Sequence, residues 1–249
     1  MTARTVCFII AWIFLACFCI WQAHRMIVLK KREKELEECL KETDISIMLS
    51  QIQPHFLYNS LSTIRELCRE DPEKAQKALE EFSAFLRGNM ESLRSKVPVP
   101  FSREMEHVKH YLHLEQIRFG DDLHVEYDIQ EDDFFLPTLT IQPIVENAVK
   151  YGVGNKEEGG TVWIESHREG KQIIIIVRDD GIGFDVDEFE HIPIQKDGRT
   201  HIGLSNVKHR IEKMVNGTMT IHSRKETGTV VKITLNAEND GDRICRFWQ

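Results

Sequence analysis

The chain of 249 residues has no CxxC pair. Its cysteines, Cys7, Cys17, Cys19, Cys39, Cys68 and Cys245, therefore lack the spacing of a zinc site or a thioredoxin-type redox centre. Three of them fall inside one apolar run near the N-terminus, where they read as small hydrophobes. A disulfide framework is not expected, which fits a reducing compartment for the rest of the chain. Basic charge is also short: 32 Lys and Arg against 40 Asp and Glu leave a net charge of −8. That deficit speaks against a broad basic face for gripping DNA or RNA. No internal repeat is present. At 41% hydrophobic and 29% charged residues the composition is that of a globular protein. The length allows one large domain, or two small ones with an extension.

Val6 to Trp21 is an unbroken apolar run of 16 residues, extended to 19 by Thr5, Gln22 and Ala23. A spanning helix needs about 20 residues, and Trp21 stands where an interfacial anchor would. Only Arg4 precedes the run, whereas Arg25, Lys30, Lys31, Arg32 and Lys34 follow it. The charge bias predicts a single-pass anchor over residues 1–24 in the cell membrane, with the rest of the chain cytoplasmic. The alternative is a cleaved signal peptide, whose shorter apolar core ends in small residues. Ala23 is small, but Trp21 is not. An anchor placed so leaves almost nothing outside the cell, hence no extracellular sensing domain.

Leu29, Glu33, Leu36, Leu40, Thr43 and Ile47 alternate spacings of four and three, a short imperfect heptad seam. It predicts a dimeric helical stalk over 25–48, with a solvated amphipathic helix as the alternative. Helical periodicity continues through Leu49, Ile52, Phe56, Leu57, Leu61, Ile64 and Leu67. Asp71-Pro72 then supplies an N-cap and a first helical residue. The next helix carries Ala75, Ala78, Leu79, Phe82, Phe85 and Leu86 on one face. The two form a hairpin, and two hairpins would make a four-helix bundle. Val97-Pro98-Val99-Pro100 reads as a linker, followed by a helix from about Ser102 to Phe119. Beyond Gly120 the texture becomes α+β, with a mostly antiparallel sheet and helices on one face. Strands are predicted at 123–129, 162–166, 172–178, 219–223 and 229–235, and helices at 138–151 and 201–215. The tail 237–249 gives no signal.

Four constellations carry chemistry. Pro54 in an otherwise good helix costs about 3 kcal/mol or more and calls for a reason. Beside it, His55 lies near the edge of the apolar stripe, where a neutral imidazole is a competent nucleophile. A polar surface histidine is the bland alternative. In Glu146-Asn147-Ala148-Val149-Lys150-Tyr151, Asn147 and Lys150 share a helix face. The amide is a hard ligand suited to Mg²⁺ and the ammonium can face phosphate, although an ordinary helix end has the same pattern. Asp179-Asp180-Gly181-Ile182-Gly183-Phe184 closes a strand. There a carboxylate can accept from an exocyclic amine and glycines admit a ligand, or the segment is a tight turn. Thr200-His201-Ile202-Gly203-Leu204-Ser205-Asn206 opens a helix, a weak phosphate-site geometry.

The order of these segments is more specific than any one of them. A helix with Gln51-Ile52-Gln53-Pro54-His55-Phe56-Leu57-Tyr58-Asn59-Ser60, then LPTLTIQPIVENAVKYG, DDGIGF, HIGLSNVKHRI and GTVVKITL, resembles bacterial sensor histidine kinases of the LytS/YesM-like subfamily. The match runs from Gln51 to Leu235. The resemblance implies a dimerisation and phosphotransfer bundle over 49–120, then a Bergerat-type α/β-sandwich ATP-binding domain over 121–236. It makes His55 the phosphoacceptor and Asn147 the Mg²⁺ ligand, and turns Lys150 toward phosphate. Asp179 contacts adenine, Gly181 and Gly183 shape that pocket, and Gly203 and Asn206 belong to the box at the hinge of an ATP lid between Phe184 and Thr200. Implied with these are ATP and Mg²⁺, a homodimer, the receiver domain of a response regulator, and input through the bilayer or a membrane-protein partner. No nucleic-acid partner is implied.

Two positions depart from the pattern. His201 stands where the lid box has its first glycine. Phe56 follows the phosphoacceptor, where many histidine kinases carry an acid, so a proton acceptor must come from elsewhere; Glu146 is the nearest carboxylate in the boxes. A degenerate kinase acting as a membrane scaffold, or an ATPase of the gyrase, Hsp90 and MutL superfamily, would share much of this sequence.

Overall fold

The computed structural model describes residues 54–94, 97–185 and 199–237, with 21–22 and 25–26. The predicted anchor and stalk, the helical turn before Pro54, the lid segment 186–198 and the tail from 238 lie wholly or mainly outside those residues. Among the described residues no helix is long and apolar enough to cross a membrane.

Two helices open the described chain, α1 (Pro54–Glu70) and α2 (Pro72–Arg94). Asp71 separates them and caps the second as its sequence predicts: its Oδ1 accepts the Lys74 N–H at 3.1 Å. Helical periodicity turns Phe56, Ser60 and Ile64 inward on α1, and Ala75, Ala78, Phe82, Phe85 and Asn89 inward on α2. Phe56, near the start of α1, lies 4.8 Å from Phe85, late in α2. The helices are therefore antiparallel. Both rest on α3 (Phe101–Phe119), whose Tyr111 ring is 5.1 Å from Phe56. Leu61 and Leu79, expected inside, are about half exposed.

Val99–Pro100, read from sequence as a linker, is instead a two-residue strand, β1. It pairs antiparallel with β3 (Phe135–Leu136), after β2 (Leu123–Ile129). The pairing lets fully buried Phe101 stack on Phe134, ring centres 4.5 Å apart. Next comes α4 (Gln142–Asn147), widening into a π-helical turn over Ala148–Gly152. Strands β4 (Gly160–Glu169) and β5 (Gln172–Asp179) follow, then α5 (Arg199–Arg210) with a π-helical turn to Val215. The hairpin of β6 (Thr218–Arg224) and β7 (Gly228–Asn236) completes the sheet.

The main sheet has the order β2-β4-β5-β7-β6. It is mixed: β2 and β4 run parallel, with α4 in the connection between them, and every other pair is antiparallel. Register makes the core. Ile164, Val177 and Val231 stand side by side on three strands, as do Ser166, Ile175 and Ile233. All six are buried. Side chains alternate in a strand, so the inward series Ile173, Ile175, Val177 continues to Asp179. The carboxylate is buried by register, at the end of a hydrophobic row. Ile144, Val145, Leu204, Val207 and Ile211 bring α4 and α5 onto this face.

Candidate functional site

A cavity of about 330 Å³ lies where α4, the end of β5 and the start of α5 meet, which is within the range of small-molecule sites. Asn147, Asp179, Gly183 and Leu204 line it together with Tyr151, Gly152, Ile182, Thr229 and Val231. Its wall is mostly apolar, with few polar groups, as an aromatic base requires.

Asp179 is 5% exposed, and burial pushes its carboxyl up to about 6, with the Asp180 charge adding to the rise. The backbone N–H groups of Gly181 and Thr229 pull it partly back. The Gly181 N–H donates to Oδ1 at 3.0 Å. The Thr229 N–H donates to the same carboxylate, and its remaining lone pairs are left for a ligand. The two glycines of the loop are there for space. A Cβ on Gly181 would lie 2.1–2.5 Å from the Gly152 backbone. Gly183 has φ +56, and its Cβ would lie 2.0 Å from the Arg224 carbonyl. Both contacts are too short for any other residue.

On α4, the Asn147 Nδ2 donates to the Pro143 carbonyl at 2.7 Å. This orients the carboxamide so that its oxygen is the group left for the cavity. Lys150 is not among the lining residues; its ammonium lies 4.6 Å from the centre of the Tyr151 ring. Tyr151, one helical turn beyond Asn147, shares the cavity with it, and Lys150 does not. Glu146 points elsewhere and accepts from Gln142 Nε2 at 2.7 Å. Its neighbour is Glu115 on α3, which is buried and paired with Arg118 at 2.6 Å. Burial pushes Glu115 up to about 7, Arg118 opposing and Glu146 adding to the rise. Among the described residues a Cβ on Gly203 would meet nothing within 4 Å, and Asn206 is exposed and does not line the cavity.

His55 sits outside the cavity, exposed on the first turn of α1. One turn on, Asn59 places its carboxamide nitrogen 3.0 Å from the His55 Nδ1. Periodicity turns His55 to solvent while Phe56 anchors the same turn against Phe85 and Tyr111.

Sequence reasoning missed Tyr151, Gly152 and Asn155 as lining residues, although the first two end the quoted LPTLTIQPIVENAVKYG segment. It also missed Glu104 and Arg210. Glu104 is a buried carboxylate that accepts from the backbone of Leu139, Thr140 and Ile141. Nothing local in the sequence distinguishes it from other helix glutamates.

Residues 43–123 match the family described as histidine kinase. Residues 133–239 match the histidine kinase-, DNA gyrase B- and HSP90-like ATPase family. The YwpD protein of Bacillus subtilis (strain 168) is 36% identical over 201 residues, covering 80% of this chain and 72% of that one. The sensor histidine kinase YpdA of Escherichia coli (strain K12) is 35% identical, covering 80% of this chain and 35% of its own. The sensor protein LytS of Staphylococcus haemolyticus (strain JCSC1435) is 32% identical over 77% of this chain and 34% of its own. The chain thus spans about a third of the length of these sensor proteins. The histidine kinase domain of the Erythrobacter litoralis blue-light activated kinase EL346 is 14% identical at TM-score 0.46, covering 82% of this chain and 95% of that one. The assignment rests on the sequence relatives, not on that likeness. The chain belongs to the histidine kinase family, joining a histidine kinase region to an ATPase domain of the gyrase B and Hsp90 kind.

Proposed function

We propose that this protein is a membrane-anchored sensor kinase of a two-component system that phosphorylates itself on His55 and relays the phosphoryl group to an Asp of a response regulator. The observation that carries this reading is one chain holding both a solvent-facing, hydrogen-bonded histidine on a helical hairpin and an apolar cavity with a buried carboxylate at its end. In the cavity, the Asp179 carboxylate accepts from the exocyclic amine of adenine, and Tyr151, Ile182 and Val231 supply apolar wall. The phosphates extend toward α4, where Lys150 neutralises charge.

Mg²⁺ fits the site in one respect: Asn147 offers a hard amide oxygen. Among the described residues no cluster of three or more His, Cys, Asp or Glu could hold a metal alone. Asn147 would hold the ion together with phosphate oxygens and water, and the ion would supply charge neutralisation on the transferring group.

In the chemical step Nε2 of His55 attacks the γ-phosphorus. The N–P bond forms, the bond to the bridging oxygen breaks, and ADP leaves with that electron pair. Asn59 occupies Nδ1, so Nε2 is the open nitrogen. The Asn59 carboxamide nitrogen donates to Nδ1, so the ring proton sits on Nε2 and passes to water as the N–P bond forms. Catalysis is positioning and charge neutralisation, since the protein has little covalent work to do. The chain acts as a homodimer: Tyr58, Leu61 and Leu79, apolar and exposed on the hairpin of a single chain, fit burial against a second copy. A dimer of this kind allows the membrane segment to change the distance between His55 and ATP.

The test is incubation of the full chain, purified in detergent, with γ-labelled ATP and Mg²⁺, beside His55→Gln and Asn147→Ala. Label on the wild type alone, stable to base and lost in acid, is expected. ATP turnover with no protein-bound label would replace the kinase with a simple ATPase; ATP binding without either would indicate a scaffold.

A further inference from the structure

The segment before α4 is held in an unusual way. Leu139 has φ +57, a left-handed conformation that a branched apolar residue avoids. Helix α4 begins just after it and has no side-chain cap of its own. Glu104, on α3 and distant in sequence, instead holds the backbone that leads into it. Its carboxylate accepts the N–H groups of Leu139 at 2.5 Å, Thr140 at 3.0 Å and Ile141 at 3.1 Å. Ile141 is the residue at the start of the helix, and Leu139 and Thr140 precede it. The other side of the same residue is held from α5: Arg210 Nη2 donates to the Leu139 carbonyl at 2.6 Å. Glu104 is 3% exposed, and burial disfavours its charge while the nearby guanidinium favours it. Among the described residues Arg210 Nε is buried without a partner, and the Leu139 carbonyl is the acceptor that Nη2 reaches.

Leu139 is therefore gripped on its N–H by α3 and on its carbonyl by α5. Both walls of the nucleotide cavity depend on that grip: α4 carries Asn147, and α5 carries Leu204. Helix α3 is also the element against which the hairpin with His55 packs, through Tyr111 and Phe56. A buried charge with three backbone donors is a stiff connection, because moving it strands several polar groups at once.

We propose that Glu104 and Arg210 are positioning residues: by pinning Leu139 between α3 and α5 they set where Asn147 stands opposite the nucleotide phosphates, and so link the position of α3 to the metal-dependent end of the site. This deepens the reading of Asn147 as a metal ligand and rests on it. Asp179, Gly181 and Gly183 belong to β5 and the loop after it. The adenine end is therefore not expected to feel the node.

The test uses the full chain in detergent with Glu104→Gln, Arg210→Met and both together. A fluorescent ADP analogue is titrated with Mg²⁺ and with EDTA. In the wild type Mg²⁺ is expected to tighten binding. In Glu104→Gln that enhancement should fall at least fivefold, while affinity in EDTA stays within twofold. Autophosphorylation should fall at least tenfold at saturating ATP. The double variant should be no worse than the worse single one, because both act through Leu139. Thermal melting distinguishes a merely structural role, which lowers both affinities with the folded fraction. The proposal is overturned if the ratio of the two affinities is unchanged in Glu104→Gln, or if both affinities fall together with melting. A wild type that binds Mg²⁺-nucleotide but gains no label overturns the kinase reading, whereas the affinity ratio still decides the node.

Discussion

Protonation of Asp179 should weaken nucleotide binding in a predictable window. The carboxyl is buried at the end of the inward row of β5 and pushed up to about 6. The Gly181 and Thr229 N–H groups already donate to this carboxylate, so an added proton takes a lone pair left for the adenine amine and presents a donor to a donor. At pH 5, one unit below about 6, roughly one site in eleven is ionised, so adenine binding is about tenfold weaker than at pH 7.5, or about 1.4 kcal/mol. The assay is titration of ADP without Mg²⁺ from pH 5 to 8, with Asp179→Asn alongside. Phosphate titration of the nucleotide is common to both proteins and cancels in the ratio of their affinities. That ratio should rise about tenfold between pH 5 and 7 and then level off. A flat ratio would refute the assignment of Asp179 to the adenine amine.

Four further outcomes follow. His107 is stacked on Phe85, and burial lowers it from 6.5 to about 4, with Gln142 opposing the shift and His110 adding to it. The unfolded chain takes up that proton first, so the contribution to stability is complete above about 6.5 and is lost as pH falls toward 4, by about 3 kcal/mol in all. Urea unfolding of His107→Leu should lack this part of the pH slope seen in the wild type. Gly181→Ala should abolish nucleotide binding, since its Cβ meets the Gly152 backbone, whereas Gly203→Ala, with open space around it among the described residues, should change stability by less than about 1 kcal/mol in urea melts. Asn59→Ala should slow autophosphorylation severalfold without changing ATP affinity, because it touches only Nδ1 of His55.

The periodic elements were legible in the sequence because period and burial coincide there. The apolar run Ile173–Val177 marks β5, but it has no phase of its own, and the register with β7 is what buries Asp179. The Asp71 cap was legible because capping is local. The β1–β3 pair was not, since two residues with a proline show no period and the pairing partner lies 35 positions away. The start of α4 was read four residues early, because the left-handed Leu139 is stabilised by Glu104 and Arg210, both remote in sequence. The inward reading of Leu61 and Leu79 failed for a related reason: a helix stripe shows that a residue is apolar, not whether one chain supplies its cover. Motif order singles out Asn147, Asp179 and Gly183, and all three line the cavity. Tyr151 lies four residues beyond Asn147 on the same helix face, so helical spacing points to it although motif order does not.

The most direct test of the account is location of the phosphoryl group itself. The full chain is incubated with ATP and Mg²⁺, digested at alkaline pH and read by mass spectrometry. Phosphate on the peptide carrying His55, with none in His55→Gln, is the predicted result. Phosphate on another residue, or its persistence in His55→Gln, would contradict it.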